Sequence, residues 1–213
     1  MLRCAITDRT LLSQSGAEYE AENERRAALI QRAQLWAHEG IDLIQLREKD
    51  LLTPDATPAL TDLARRMLAA IAIYPTRLLI NSSLEAAIAA RAHGLHLTSH
   101  PRLTPDEVRR RFIEARLPTP TITRACHTLS EIEAIKTSPR DNHPDAILFS
   151  PVFGKTLHGE LIAPAAGLEA LRAACLAAAP IPVLALGGIT HENTGQCLSA
   201  GAAGIAGIRL FLP

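Results

Sequence analysis

The stretch Leu43-Ile-Gln-Leu-Arg-Glu-Lys-Asp50 changes character halfway along: an apolar run gives way to charge. Residues 43–47 read as a short buried strand whose C-terminal end carries polar side chains. Alternation places Gln45, Arg47 and Lys49 on one side, with Leu46 and Glu48 on the other. Seven further runs of the same kind occupy residues 3–7, 78–81, 94–97, 121–124, 146–149, 183–186 and 204–208, separated by longer helical patterns. Strands alternating with helices imply parallel βαβ units. Eight such units fit a closed barrel better than an open doubly wound sheet, whose frequent G-x-G-x-x-G turn is missing here. The expected fold is therefore α/β, a single (β/α)8 TIM barrel over residues 1–213. It lacks a full final helix, because only Arg209-Leu-Phe-Leu-Pro213 follows the last strand. The apolar surface left beside the first and last strands favours either a homo-oligomer or cover by the 11–21 segment.

Helix boundaries support this division. Residues 22–39 place Ala28, Leu29, Ala33 and Trp36 near one face, and Gly40 ends the pattern. Ser83 can cap a helix over 84–93, and Thr104-Pro-Asp-Glu107 sets an N-cap, then Pro, then two acids in the first turn. Thr128-Leu-Ser-Glu131 fits a capping box. Helix 168–179 stops at Pro180, and Thr190-His-Glu-Asn193 starts another. Residues 154–164 read as a long loop after the sixth strand.

Composition narrows the function classes. Lys plus Arg equal Asp plus Glu at 22 each, and aromatics are 3%, which disfavours nucleic-acid and membrane-surface partners. No apolar run reaches the ~20 residues of a membrane span. The start, Met1-Leu-Arg-Cys-Ala-Ile-Thr-Asp8, reaches Asp too early for a secretory signal, so a cytoplasmic protein is expected. Cys4, Cys126, Cys175 and Cys197 form no C-x-x-C pair, and Cys175 and Cys197 read as buried free thiols on helices.

In such a barrel, chemistry sits at the C-terminal ends of the strands. Gln45, Arg47 and Lys49 facing inward would suit a phosphate or pyrophosphate; the alternative is a polar layer closing the mouth through an internal ion pair. Gly187-Gly188 follows the seventh strand, where backbone amides at a helix start often hold phosphate; the alternative is a tight turn without a ligand. His96 is expected as a packed or lining residue, and His93 and His191 as solvated helix residues. His100, His127 and His158 fall in mouth loops, but their spacing has no metal motif, and no metal site is assigned to them. His127 is the strongest single acid/base candidate, against a reading as a loop or capping residue.

Read together, Ala-Ile-Thr-Asp8, Ile44-Gln-Leu-Arg-Glu-Lys-Asp50, Leu79-Ile-Asn81, Gly94-Leu-His-Leu97, Cys126-His-Thr-Leu129, Phe149-Ser-Pro-Val-Phe153 and Leu186-Gly-Gly-Ile-Thr190 resemble the thiamine phosphate synthase/TenI family over nearly the whole chain. The family has the (β/α)8 fold. Its synthase branch joins hydroxymethylpyrimidine pyrophosphate to thiazole phosphate with Mg²⁺ and loss of pyrophosphate. Its TenI branch aromatises a thiazole phosphate tautomer without a metal. The resemblance implies a small phosphorylated heterocycle, thiazole phosphate, as the partner. It assigns Gln45, Arg47, Lys49 and Asn81 to pyrimidine-pyrophosphate contacts, Gly188 with Ile208 and Arg209 to the thiazole phosphate, and His127 to acid/base catalysis.

This chain departs from the synthase pattern at several places. Ser82 follows the strand-three Asn where an Asp is usual, and Thr98-Ser-His-Pro101 replaces a run with a second Asp; both serve Mg²⁺ in the family. The Thr-x-Thr-Lys loop is Lys155-Thr-Leu-His158 here, with Lys155 and His158 as substrate-binding candidates, and Arg209 replaces a small serine. The expectation is a TenI-like tautomerase with no cofactor. The alternatives are a divergent synthase with Mg²⁺ held by Asp8, Glu48 or Asp50, and a non-catalytic binder of thiazole or thiamine phosphate.

Overall fold

The computed structural model describes residues 1–12, 18–157 and 160–212, with side chains described for all of these except 18–21, 155–157 and 160–163. Ten strands alternate with helices: β1 (Leu2–Ile6), α1 (Glu18–His38), β2 (Leu43–Leu46), α2 (Thr57–Ile71), β3 (Arg77–Asn81), α3 (Leu84–Ala90), β4 (Gly94–Leu97), α4 (Pro105–Glu114), β5 (Thr121–Cys126), α5 (Leu129–Thr137), β6 (Ala146–Phe149), β7 (Lys155–Leu157), β8 (Glu160–Ala163), α6 (Gly167–Ala178), β9 (Val183–Ala185), α7 (Thr194–Ser199) and β10 (Gly204–Gly207). Eight of the strands are parallel and close a barrel in the order β1-β2-β3-β4-β5-β6-β9-β10. The expected (β/α)8 class is the fold observed.

Strand alternation divides the core into two layers. Ala5, Ile44, Ile80, Leu95, Ile122, Ile147 and Ala185 point outward under the helices. Cys4, Ile6, Leu43, Leu79, Ala146, Leu148, Leu184 and Ala206 fill the interior. The same alternation turns Gln45, Asn81, His96 and Thr123 inward, all buried, as a polar layer toward the strand C-termini. Both capping boxes form, at Thr104 with Glu107 and at Thr128 with Glu131, and the Ser83 hydroxyl accepts from the Ala86 amide.

Several expectations need correction. Residues 155–163 carry the antiparallel pair β7–β8 rather than an irregular loop, with a register irregularity at Lys155/Thr156. The helix at 84–93 ends at Ala90, because Arg91 adopts a left-handed cap at φ 58°. His93 is therefore not a solvated helix residue: its Nδ1 accepts the Leu78 amide at 2.9 Å, and burial lowers its pKa. The last helix begins at Thr194, not Thr190, and His191 lies outside it.

Among the described residues no helix follows β10. The chain turns back, buries Leu210, and the Trp36 indole donates to the Phe211 carbonyl at 2.7 Å. Phe211 and Leu212 pack against the same cluster as α1. Residues 210–212 thus partly close the face left beside the first and last strands. The part of the 11–21 segment at 13–17 lies outside the described residues.

Candidate active site at the barrel mouth

The floor of the mouth is the inward polar layer. Gln45 Nε2 donates to Asn81 Oδ1 at 2.8 Å, and Asn81 Nδ2 donates to Ser82 Oγ at 3.0 Å. Gln45 Oε1 is buried and has no donor among the described residues. An orphan acceptor of this kind costs free energy until a donor reaches it. His96 Nδ1 lies 2.8 Å from Thr123 Oγ1. Burial, reinforced by the Arg47 charge, pushes its pKa down to about 3, so His96 is neutral near pH 7. That coupling fits Arg47 facing the same interior. Lys49 departs from the alternation, because the strand ends at Leu46 and Lys49, itself exposed, opens a 3-10 turn over Lys49–Leu51.

On the outer side, Arg9 forms a network that no local sequence pattern marks. Arg9 is 3% exposed, and its guanidinium pairs with Glu48 at 2.9 Å, Glu22 at 2.8 Å and Asp50. Glu48 also accepts from the Arg9 amide at 3.1 Å and from the Thr7 hydroxyl, which itself accepts the Arg47 amide at 2.9 Å. This ion pairing joins the ends of β1 and β2 behind the inward-facing side chains and involves neither Arg47 nor Lys49. The carboxylates considered for Mg²⁺ are already engaged: Glu48 and Asp50 by Arg9, and Asp8 by the Thr10 amide and hydroxyl. Position 82 offers only a hydroxyl. This donor set does not fit a carboxylate-held Mg²⁺, which needs hard anionic oxygens left free.

His127 follows β5 directly, and its side chain is exposed. Its Nδ1 donates to the Ser150 carbonyl at 2.7 Å. Only a protonated Nδ1 can make that bond, so the neutral ring keeps its lone pair on Nε2. The His127 amide is held in turn by the Glu131 carboxylate. His100 is 87% exposed and lies 3.9 Å from Glu131. His158 lies outside the described residues, as does the Lys155 side chain.

Gly187 and Gly188 have φ of +95° and +65°. A Cβ at 187 would lie 2.7 Å from Pro151 Cα, and one at 188 would lie 2.7 Å from Phe153 Cβ. Glycine is required at both on conformation and space together. The expected helix start does not contribute, because α7 begins six residues beyond Gly188. What the turn offers is its own backbone: the amides of residues 187, 188 and 189 find no acceptor among the described residues. Arg209 follows the neighbouring strand and is exposed, and Ile208 packs against the interior cluster.

Comparison with known proteins places this arrangement. The thiamine monophosphate synthase profile matches residues 18–211. A protein of Aquifex aeolicus called putative thiamine-phosphate synthase 2 is 36% identical over 175 residues, 81% of this chain and 84% of the relative. The thiamine-phosphate synthase of Methanoculleus marisnigri is 32% identical over 174 residues, 82% of this chain and 75% of the relative. The solved thiamine phosphate pyrophosphorylase of Pyrococcus furiosus superposes with a TM-score of 0.72 at 22% identity, covering 98% of this chain and 85% of that one, which bears on the fold. These names back the synthase alternative better than the tautomerase first expected. The chain belongs to the thiamine monophosphate synthase family, a family of enzymes built on this barrel.

Proposed function

We propose that this chain couples hydroxymethylpyrimidine pyrophosphate to thiazole phosphate, releasing pyrophosphate. The carrying observation is the orphan Gln45 Oε1 in the floor of the mouth. An aminopyrimidine presents an N–H donor, and Gln45, already fixed by Asn81, holds its carbonyl ready for one. Arg47, on the same face, would meet the pyrophosphate, with Lys49 at the rim. The thiazole phosphate would rest on the open amides of the Gly187-Gly188 turn, beside Ile208 and Arg209. The names of the relatives support the same reading.

A second reading, thiazole tautomerisation, is favoured by one observation. The Ser150 carbonyl fixes His127 with Nε2 as the available base, in a mouth where Asp8, Glu48 and Asp50 are all engaged. His127 would then take and return a single proton on the thiazole ring.

Thiamine phosphate formation by the purified protein tests the first reading, with both substrates, a Mg²⁺ titration and an EDTA control. Product above background supports coupling. Its absence in folded protein that binds thiazole phosphate overturns it. The tautomer assay then decides the second reading: His127→Ala is expected to abolish the reaction, and full retained rate overturns it.

A further inference from the structure

We infer that Asn193 is a positioning residue for the phosphate-binding turn, orienting the Ile189 amide through the Gly188 carbonyl. The inference rests on the phosphate site proposed above, which is common to the coupling and tautomerase readings.

The argument begins with peptide geometry. In a trans peptide the C=O of one residue and the N–H of the next point in opposite directions. Fixing a carbonyl therefore aims the following amide. The Leu186 carbonyl accepts the Val152 amide at 2.9 Å, and the Gly187 carbonyl accepts the Phe153 amide at 3.0 Å. In a regular strand, successive carbonyls alternate sides. Here two in succession reach the same segment, a course that the positive φ of Gly187 permits. The amides of Gly187 and Gly188 are thereby turned away from residues 152–153.

The third carbonyl has no backbone partner in that segment. It is held by a side chain: Asn193 Nδ2 donates to Gly188 O at 2.9 Å. The other end of the same amide, Asn193 Oδ1, accepts the Thr190 N–H at 2.8 Å, and the Asn193 N–H donates to Thr190 Oγ1 at 3.3 Å. Asn193 so occupies the Gly188 carbonyl and the Thr190 amide, the polar groups on either side of Ile189 N–H. That amide is the third of three successive donors without an acceptor among the described residues. Successive amides aimed outward form an anion-binding concavity. Two are set by the main chain, and one is set by Asn193.

The test compares binding of thiazole phosphate, its dephosphorylated alcohol and inorganic phosphate by calorimetry. Asn193→Asp keeps the acceptor for Thr190 and loses the donor to Gly188. Asn193→Ala loses both. Each is first checked for an unchanged near-UV spectrum and thermal midpoint within a few degrees. Both are expected to weaken thiazole phosphate and inorganic phosphate about tenfold, the effect of one charge-assisted bond, while leaving the alcohol unchanged. An equal fall for phosphate and alcohol would indicate a general structural role and overturn the inference. So would unchanged affinities. Because Asn193→Asp also adds a negative charge near the anion, Asn193→Leu, which removes the amide without adding charge, carries the test if Asn193→Ala fails to fold. If both fail, inorganic phosphate raising the wild-type thermal midpoint while leaving that of Gly188→Ala unmoved supports the turn as the site, and no rise in the wild type overturns it. Wild-type protein that binds inorganic phosphate in an Asn193-dependent manner but ignores thiazole phosphate sinks the functional reading and keeps this one.

Discussion

Thr7 and Glu48 are joined across the ends of β1 and β2, on the helix side of the barrel: the Thr7 hydroxyl donates to the Glu48 carboxylate and accepts the amide of Arg47. Glu48 points outward, so its neighbour Arg47 points into the mouth. The clasp fixes which side of the strand end each residue presents. Thr7→Val keeps the shape and strips the hydroxyl, leaving a buried carboxylate oxygen and a buried amide without this partner. A loss of about 1–3 kcal/mol is expected. Thr7→Ser keeps the hydroxyl and gives up one buried methyl, about 0.8 kcal/mol. Urea unfolding ranks the two. If valine is as stable as serine, the clasp contributes nothing.

Arg9 extends the clasp, and its partners differ in exposure. Glu48 is 2% exposed, whereas the Asp50 side chain is 59% exposed. Arg9→Met leaves Glu48 as an uncompensated buried charge, with an expected loss of about 3–5 kcal/mol. Asp50→Asn removes a solvent-screened partner and should cost under about 1 kcal/mol. The hydrogen bond from Arg9 holds the Asp50 carboxyl below its usual range. The associated stability is present above the ordinary carboxylate pKa and fades as pH falls through the lowered one. Denaturation midpoints of the two variants at neutral pH check the contrast, and equal losses would contradict it.

His96 gives a pH dependence of definite sign. Its folded pKa of about 3, set by burial and then by Arg47, lies below the ordinary histidine value of about 6.5. Between these limits the unfolded chain binds a proton that the folded chain refuses. Stability is full above about 6.5 and falls as pH drops toward about 3, by roughly 1.4 kcal/mol per pH unit at most. Carboxylates contribute in the same range, so the measurement is the difference between wild type and His96→Gln. The variant should show a shallower decline from pH 6.5 to 4.5, and parallel curves would place the imidazole in solvent.

What the sequence made legible follows from the range of the forces involved. β4 and β6 begin and end where the mainly apolar runs do, because a parallel strand buried on both faces reads as a near-continuous apolar run, interrupted in β4 by the inward-facing His96. Caps at Thr104 and Thr128 depend on residues three positions away and were equally readable. The β7–β8 pair was not, since two strands of three and four residues carry no period long enough to recognise. Arg9 was missed because its partners lie 13, 39 and 41 residues away and meet only when the barrel closes. Lys49 does not follow the alternation because it lies three residues past Leu46, the last strand residue.

The glycine turn separates two kinds of strain that a sequence cannot distinguish. At Gly188 the φ of +65° lies in the left-handed region, which alanine enters at about 1–2 kcal/mol, and the obstacles are Phe153 Cβ at 2.7 Å, held by its own main chain, and the Phe153 and Gly154 carbonyl oxygens at 3.2 and 3.3 Å. At Gly187 the φ of +95° is beyond that region, and the obstacle is Pro151 Cα, part of the main chain whose neighbours donate to this same turn. Relief there means moving residues 151–153 and losing the bonds from Val152 and Phe153. Gly188→Ala should therefore cost about 2–5 kcal/mol, left-handed strain plus overpacking, and Gly187→Ala more, since its φ lies beyond the region alanine can enter and relief also loses the bonds from Val152 and Phe153. Chemical denaturation orders them. Finding Gly187→Ala the more stable variant would mean that the 151–153 segment yields easily, and that the turn does not depend on it for its shape.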